Sequence, residues 1–271
     1  MPRPAEKPVQ DLKGFMEEIK TLKMASAENR LFFRGCSDAR YKLIPGLYRR
    51  NSATSSLDVA ILEQRLLGEF RQRSIPFHSR TLDQDWDALF FMQHYGIPTR
   101  LLDWTENPLI AMYFAVVNAP PTTMKRGKPE FDNAAVWVLD PAGWNRFALR
   151  NQGFKDGVLD ISHAHLMNFK PSSDFKNMNK NAVAIYGAHN SQRIVAQRGV
   201  FTVFGQGEEP MEEAFDQDGF PAYCLAKLIM DKDVVSELRR EVIDYGITDS
   251  VVFPDLDGLS REIKRRFGFS I

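Results

Sequence analysis

The chain has 271 residues, 44% of them hydrophobic, enough to bury a sizeable core as one large domain or two small ones. Its 35 basic and 35 acidic residues cancel, which removes any global pull toward nucleic acid or an anionic membrane. Two cysteines, Cys36 and Cys224, exclude a disulfide framework, and the longest apolar run, residues 109–117, is too short to span a bilayer. The opening "MPRPAEKPVQ" lacks the apolar centre of a signal peptide, so a soluble cytoplasmic protein with no membrane partner is expected.

In chain order, Leu12, Phe15, Met16, Ile19 and Leu22 recur at helical spacing over residues 10–24. "NRLFFRG" reads as a strand stopped by Gly35, and "YKLIPGLYRR" as extended or turn-like because of Pro45 and Gly46. A helix over residues 56–73 follows a serine-rich start able to cap it, and a second covers about 84–95, ended by Gly96 and Pro98. "IPTRLLDWT" reads as a strand. Asn107-Pro108 then predicts a helix start, with the amide oxygen as cap and proline where no N–H is needed.

Further on, "PPTTMKRGKPEFDN" reads as a polar loop, "AAVWVLD" as a strand, and residues 142–180 show no clear period. "NAVAIYG", "QRIVAQ", "GVFTVFG" and "CLAKLIM" read as strands, with "PMEEAFDQDGFP" as an acidic loop. "KDVVSELRREVIDYG" and "DGLSREIKRRFG" read as helices. Strands and helices mix without regular βαβ alternation, which predicts an α+β fold with a mixed or antiparallel sheet and flanking helices. No linker divides the chain. Residues 1–28 read as a helical lead-in and about 29–268 as the core of one domain.

Thr99, Arg100, Asp103, Trp104, Thr105, Glu106 and Asn107 crowd against the start of an almost wholly apolar segment. Two readings are open. The polar groups satisfy backbone donors at a buried turn, with Arg100 paired to Asp103, or they face an anionic ligand at a helix N-terminus.

"FFRG" at residues 32–35, followed by "LIPGLYRR", resembles the signature of the FRG-domain family, and "QHYGIPTRLLDWTENPLIAMYFA" resembles that family's longest motif. "RIVAQRGVFTV" and "VVFPDLDGLSREIK" resemble its later blocks, so the similarity runs over about residues 29–268. FRG domains look distantly like the ADP-ribosyltransferase fold, and many occur in bacterial and phage conflict settings. The resemblance implies a split-sheet core using NAD as substrate. It also implies an unknown protein or nucleic-acid acceptor and an antitoxin or defence partner.

By that resemblance Arg34, with Gly35, takes the place of the dinucleotide-binding arginine. Residues 99–105, including Thr99, Asp103, Trp104 and Thr105, take that of the strand beside the nicotinamide. Gln197 takes the position that usually carries a catalytic carboxylate. An amide stabilises the oxocarbenium-like centre less than a carboxylate does, so Asp103 is the candidate source of negative charge. Arg34 offers a planar fork suited to pyrophosphate, and Tyr41 or Tyr48 an aromatic surface for a base. A binding module without turnover is the alternative.

Other chemistries fit less well. Pro254-Asp255 with Glu262-x-Lys264 suggests a metal nuclease, but the segment has helical spacing with Asp257 as its cap. His163-x-His165 lacks further spaced ligands, so no metal is expected. Cys36 lacks a histidine partner, and "KRGK" at 125–128 reads as a phosphate-holding run or a solvated loop. There is no P-loop or GxGxxG motif.

Overall fold

The computed structural model describes residues 4–49, 58–79, 81–125, 128–171, 177–188 and 191–269, with the side chains of 124–125 and 128–129 excepted. The middle of the "KRGK" run, residues 126–127, and the serine-rich stretch before the second helix therefore lie outside what is described.

The strands are β1 (Ala5–Val9), β2 (Phe32–Cys36), β3 (Leu101–Thr105), β4 (Thr123–Lys125), β5 (Lys128–Glu130), β6 (Ala134–Leu139), β7 (Val183–Ile185), β8 (Gly199–Val203) and β9 (Leu225–Met230). Seven of them form one sheet in the order β1-β9-β6-β2-β3-β8-β7, and β4 and β5 form a separate hairpin. Pairing is antiparallel except at the edge, where β1 lies parallel to β9. The architecture is α+β with a mixed sheet and flanking helices. The lead-in is more than a helix, since β1 precedes it and extends the sheet.

The helices are α1 (Leu12–Ala25), α2 (Val59–Ser74), α3 (Asp85–His94), α4 (Pro108–Met112), α5 (Pro141–Ala148), α6 (Gln192–Ala196), α7 (Met211–Asp218), α8 (Lys232–Asp244), α9 (Asp249–Val252) and α10 (Leu256–Arg266). Strand alternation divides the core into two layers. Phe32, Trp137 and Leu139 face one, with Trp144 and Phe220; Phe33, Val136 and Val138 face the other, with Phe15 and Leu238. α4 continues as a π-helical turn, Tyr113–Val117, inside the second layer.

Three expected elements differ: "PPTTMKRGKPEFDN", read as a loop, holds the β4–β5 hairpin, and two other segments are helices. "QRIVAQ" is the helix α6, because the Ser191 hydroxyl caps it by accepting from Ile194 N at 3.2 Å. "PMEEAFDQDGFP" contains the helix α7, whose Met211 and Phe215, four apart, drop into the first core layer. Acidic composition hid that spacing.

The ladder between β2 and β3 opens. β2 pairs with β6 along its whole length and β3 with β8 along its whole length, yet β2 and β3 meet through the one pair Phe33–Thr105. Gly35 permits a close approach on this side. A Cβ there would come 1.9 Å from the Ala111 carbonyl oxygen, so only glycine lets α4 lie so close to β2.

Candidate functional site

The gap between β2 and β3 is bridged by a side chain. Arg34 Nη1 donates to the Asp103 main-chain carbonyl at 2.6 Å, across the point where the ladder is lost. The Arg34 Nε is buried without a partner. Around this bridge lies a cleft of about 230 Å³ lined by Arg34, Gly35, Asp103, Trp104, Thr105 and Gln197, together with Gln93, His94 and Arg193. A wider chamber of about 590 Å³ adjoins it, sharing Arg34, Gln93, His94, Asp103 and Arg193 and adding Arg49. Residues far apart in sequence thus meet in one place.

Asp103 is exposed, with its carboxylate held in place. Gln93 Nε2 donates to Asp103 Oδ2 at 2.7 Å, and Thr99 Oγ1 donates to Gln93 Oε1 at 2.6 Å. The Thr99 hydroxyl also accepts from Leu101 N at 3.0 Å. This chain of bonds fixes the Gln93 amide orientation and occupies only one of the two carboxylate oxygens of Asp103, which lines the cleft.

The surroundings are electropositive. Arg34, Arg49 and Arg193 line the chambers, and among the described residues none has a carboxylate within salt-bridge reach. Arg193 stacks its guanidinium on Phe253, 4.7 Å from the ring centroid. Burial, then the neighbouring Arg193, pushes the His94 imidazole below its usual value. Its Nδ1 lies 3.4 Å from the Ser191 hydroxyl. Three guanidiniums against one carboxylate suit an anionic ligand of phosphate type.

Gln197 caps the end of α6. Its Nε2 donates to the Val252 carbonyl at 3.1 Å, and its own main-chain carbonyl accepts from Thr105 Oγ1 at 2.6 Å. Arg198, in the left-handed region at φ 46°, then turns the chain into β8.

Several expected site residues stand elsewhere. Thr99 is fully buried and acts through Gln93, away from the cleft surface. Trp104 is a core residue that reaches the cleft by one edge, its Nε1 bonded to Thr202 Oγ1 at 3.1 Å. Tyr48 is outside both chambers. It packs on Phe204 and reaches toward the Gly205 carbonyl at 3.4 Å, because the Pro45–Gly46 turn directs it into the first core layer.

Arg100 pairs with Glu63 rather than Asp103. Its Nε donates to Glu63 Oε2 at 2.8 Å, and its Nη atoms donate to the Phe204 and Phe169 carbonyls. Strand alternation puts Arg100 and Asp103 on opposite faces of β3, so the sequence neighbours cannot meet.

The polar groups before α4 mostly satisfy the turn itself. Thr105 Oγ1 accepts from Asn107 N, Asn107 Oδ1 accepts from Leu109 N, and Glu106 N donates to the Arg198 carbonyl. α4 therefore offers few free N–H groups to a ligand. Gln93, His94, Arg49 and Arg193 were not singled out from sequence. A sign was present for one of them, because Arg193 and Gln197 are four apart, one helical turn, once "QRIVAQ" is read as a helix.

Asp255, not Asp257, caps α10, accepting from Gly258 N at 2.7 Å. Glu262 is occupied by Thr248 Oγ1 and Ser250 N. Asp255 serves the α10 cap and Glu262 the α9–α10 contact, so the two do not converge on one metal site. Among the described residues no helix is long and apolar enough to cross a membrane.

Residues 29–123 match the family model of the FRG domain. No curated protein and no solved structure matches the chain. The matched segment runs from just before β2 to the start of β4. It carries Arg34, Gly35, Gln93, His94 and Asp103, while Arg193 and Gln197 lie beyond it. Over residues 29–123, about a third of its length, the chain is similar to the FRG-domain family.

Proposed function

We propose that the cleft binds NAD or a related nucleotide, and that the protein is an ADP-ribosyltransferase-like enzyme acting as a transferase or NAD glycohydrolase. The observation that carries this reading is the oriented Asp103 carboxylate sharing both chambers with Arg34 and Arg193. Guanidiniums hold phosphate groups, and the carboxylate faces the positive charge that develops as the nicotinamide–ribose bond breaks. The opened β2–β3 ladder agrees with a split-sheet core. A role as a toxin or in antiphage defence, with a cognate partner and a protein or nucleic-acid acceptor, rests on the family resemblance alone.

The second reading is a nucleotide-binding module without turnover. It is favoured by Gln197, whose amide is engaged with Val252 instead of presenting a carboxylate. Incubation of the purified protein with NAD separates the two. The enzyme releases nicotinamide in an Asp103-dependent way; the module binds NAD saturably and releases none. Absence of NAD binding would remove both readings of the ligand.

A further inference from the structure

α10 is mounted with its faces reversed. Leu256, Leu259, Ile263 and Phe267 recur at i, i+3, i+7 and i+11, one stripe of a helix, and that stripe points to solvent. Their exposures are 82%, 44%, 49% and 69%. The opposite, polar face is the one attached to the body. Arg265 donates to both oxygens of the buried Asp249, at 2.8 and 3.1 Å, and Glu262 accepts from Thr248 and Ser250. Gly258 fixes the contact, since a Cβ there would come 1.9 Å from the Phe253 carbonyl oxygen. One ion pair, the Glu262 hydrogen bonds and a glycine contact thus hold the helix in an orientation that leaves its apolar stripe uncovered.

We infer that this stripe is the contact surface of a homodimer, in which α10 packs antiparallel against α10 of a second copy. Charge placement selects this occupant. Asp257 sits in the first turn and Lys264 in the last, both exposed, and their seven-residue separation puts them on the same flank of the stripe. A two-fold axis through the middle of the helix reverses its direction and keeps flanks together, so Asp257 of each copy meets Lys264 of the other. Leu256 then faces Phe267 and Leu259 faces Ile263, completing an apolar seam. A parallel pair would bring opposite flanks together and leave Asp257 and Lys264 without each other. The antiparallel pair also opposes the two helix dipoles.

The dimer is weak by area. Two eleven-residue helices bury about 1,000 Å² in total, the lower limit for a specific interface. An interface of that size belongs with weak, reversible associations, so a micromolar concentration series is the one that reads it. The interface stands independently of any nucleotide chemistry.

Sedimentation equilibrium on the full chain from about 1 to 100 μM tests this. The mass is expected to rise from one chain toward two, and Ile263→Glu to stay monomeric with an unchanged melting temperature. Asp257→Lys and Lys264→Asp should each weaken the dimer at least about threefold, the size of a modest charge-pair loss. The double variant Asp257→Lys/Lys264→Asp should restore it, because both ends swap sign together. A monomer throughout, an Ile263→Glu chain that still dimerises, or a double reversal no better than the single ones would each overturn the inference.

Discussion

Arg34 donates its guanidinium to the Asp103 carbonyl at 2.6 Å, and in doing so occupies the place of a lost β-ladder bond. One side chain therefore joins the single Phe33–Thr105 pair in tying β2 to β3, beside the cleft. Structure and binding are coupled there.

Arg34→Lys keeps the charge and loses the planar fork. Affinity for NAD, or for inorganic pyrophosphate as a simpler probe, should fall about tenfold, as expected when one charge-assisted bond is lost. The melting temperature should drop by a few degrees, because the Asp103 carbonyl loses its partner. Calorimetry on the folded variant reads both. Unchanged affinity would place Arg34 in the scaffold alone.

Asp103→Asn should abolish nicotinamide release while leaving NAD affinity within a few-fold, since its charge acts mainly in the transition state. Gln197→Glu is the informative companion. The carboxylate cannot donate to the Val252 carbonyl, so the α6–α9 contact should loosen and stability fall by about 1–3 kcal/mol. Release that rises in Gln197→Glu would show a site one carboxylate short of activity.

His94 links the cleft to pH. Burial and Arg193 lower its pKa, so the folded chain binds this proton less tightly than the unfolded one. Stability from this group is present above about 6.5 and declines as pH falls below it. Anion binding works in the opposite direction, favouring the imidazolium. Pyrophosphate affinity should therefore strengthen as pH falls from the ordinary imidazole value toward the depressed pKa of His94. In titration calorimetry His94→Gln should flatten that dependence, and a profile unchanged by the substitution would contradict it.

Gly35→Ala drives a methyl into the Ala111 carbonyl, and backbone cannot step aside as a flexible side chain could. A loss of about 3 kcal/mol or more is expected in urea denaturation. Near-normal stability would mean that α4 shifts easily.

Arg100→Met leaves the buried Glu63 carboxyl without its cation, at about 3–5 kcal/mol. Burial already pushes the Glu63 pKa up, so in the variant it should take a proton and the deficit should shrink from pH 8 to pH 5. Arg100→Met/Glu63→Leu should recover most of the loss. Urea midpoints at the two pH values give the comparison.

The sequence alone determined those features that local physics decides. Periodicity gave α1, α2, α8 and α10, apolar runs gave β6, β8 and β9, and Asn107-Pro108 placed the start of α4. It also drew attention to Arg34, Asp103 and Gln197, which the fold brings to one cleft. Short elements were less legible: α6 depends on the single Ser191 cap, and the spacing in α7 is masked by acidic composition.

Partnership was decided by tertiary structure alone. Arg100 turned to Glu63, 37 positions back, because strand alternation separates it from Asp103. Tyr48 left the site for the core, and Gln93 entered it by holding the Asp103 carboxylate. The solvent-facing stripe of α10 follows the same logic. Its amphipathic spacing is local, but which face turns inward was set by Asp249, Thr248 and the Phe253 carbonyl. Side-chain period says that a face exists; only the packed neighbours say what it meets.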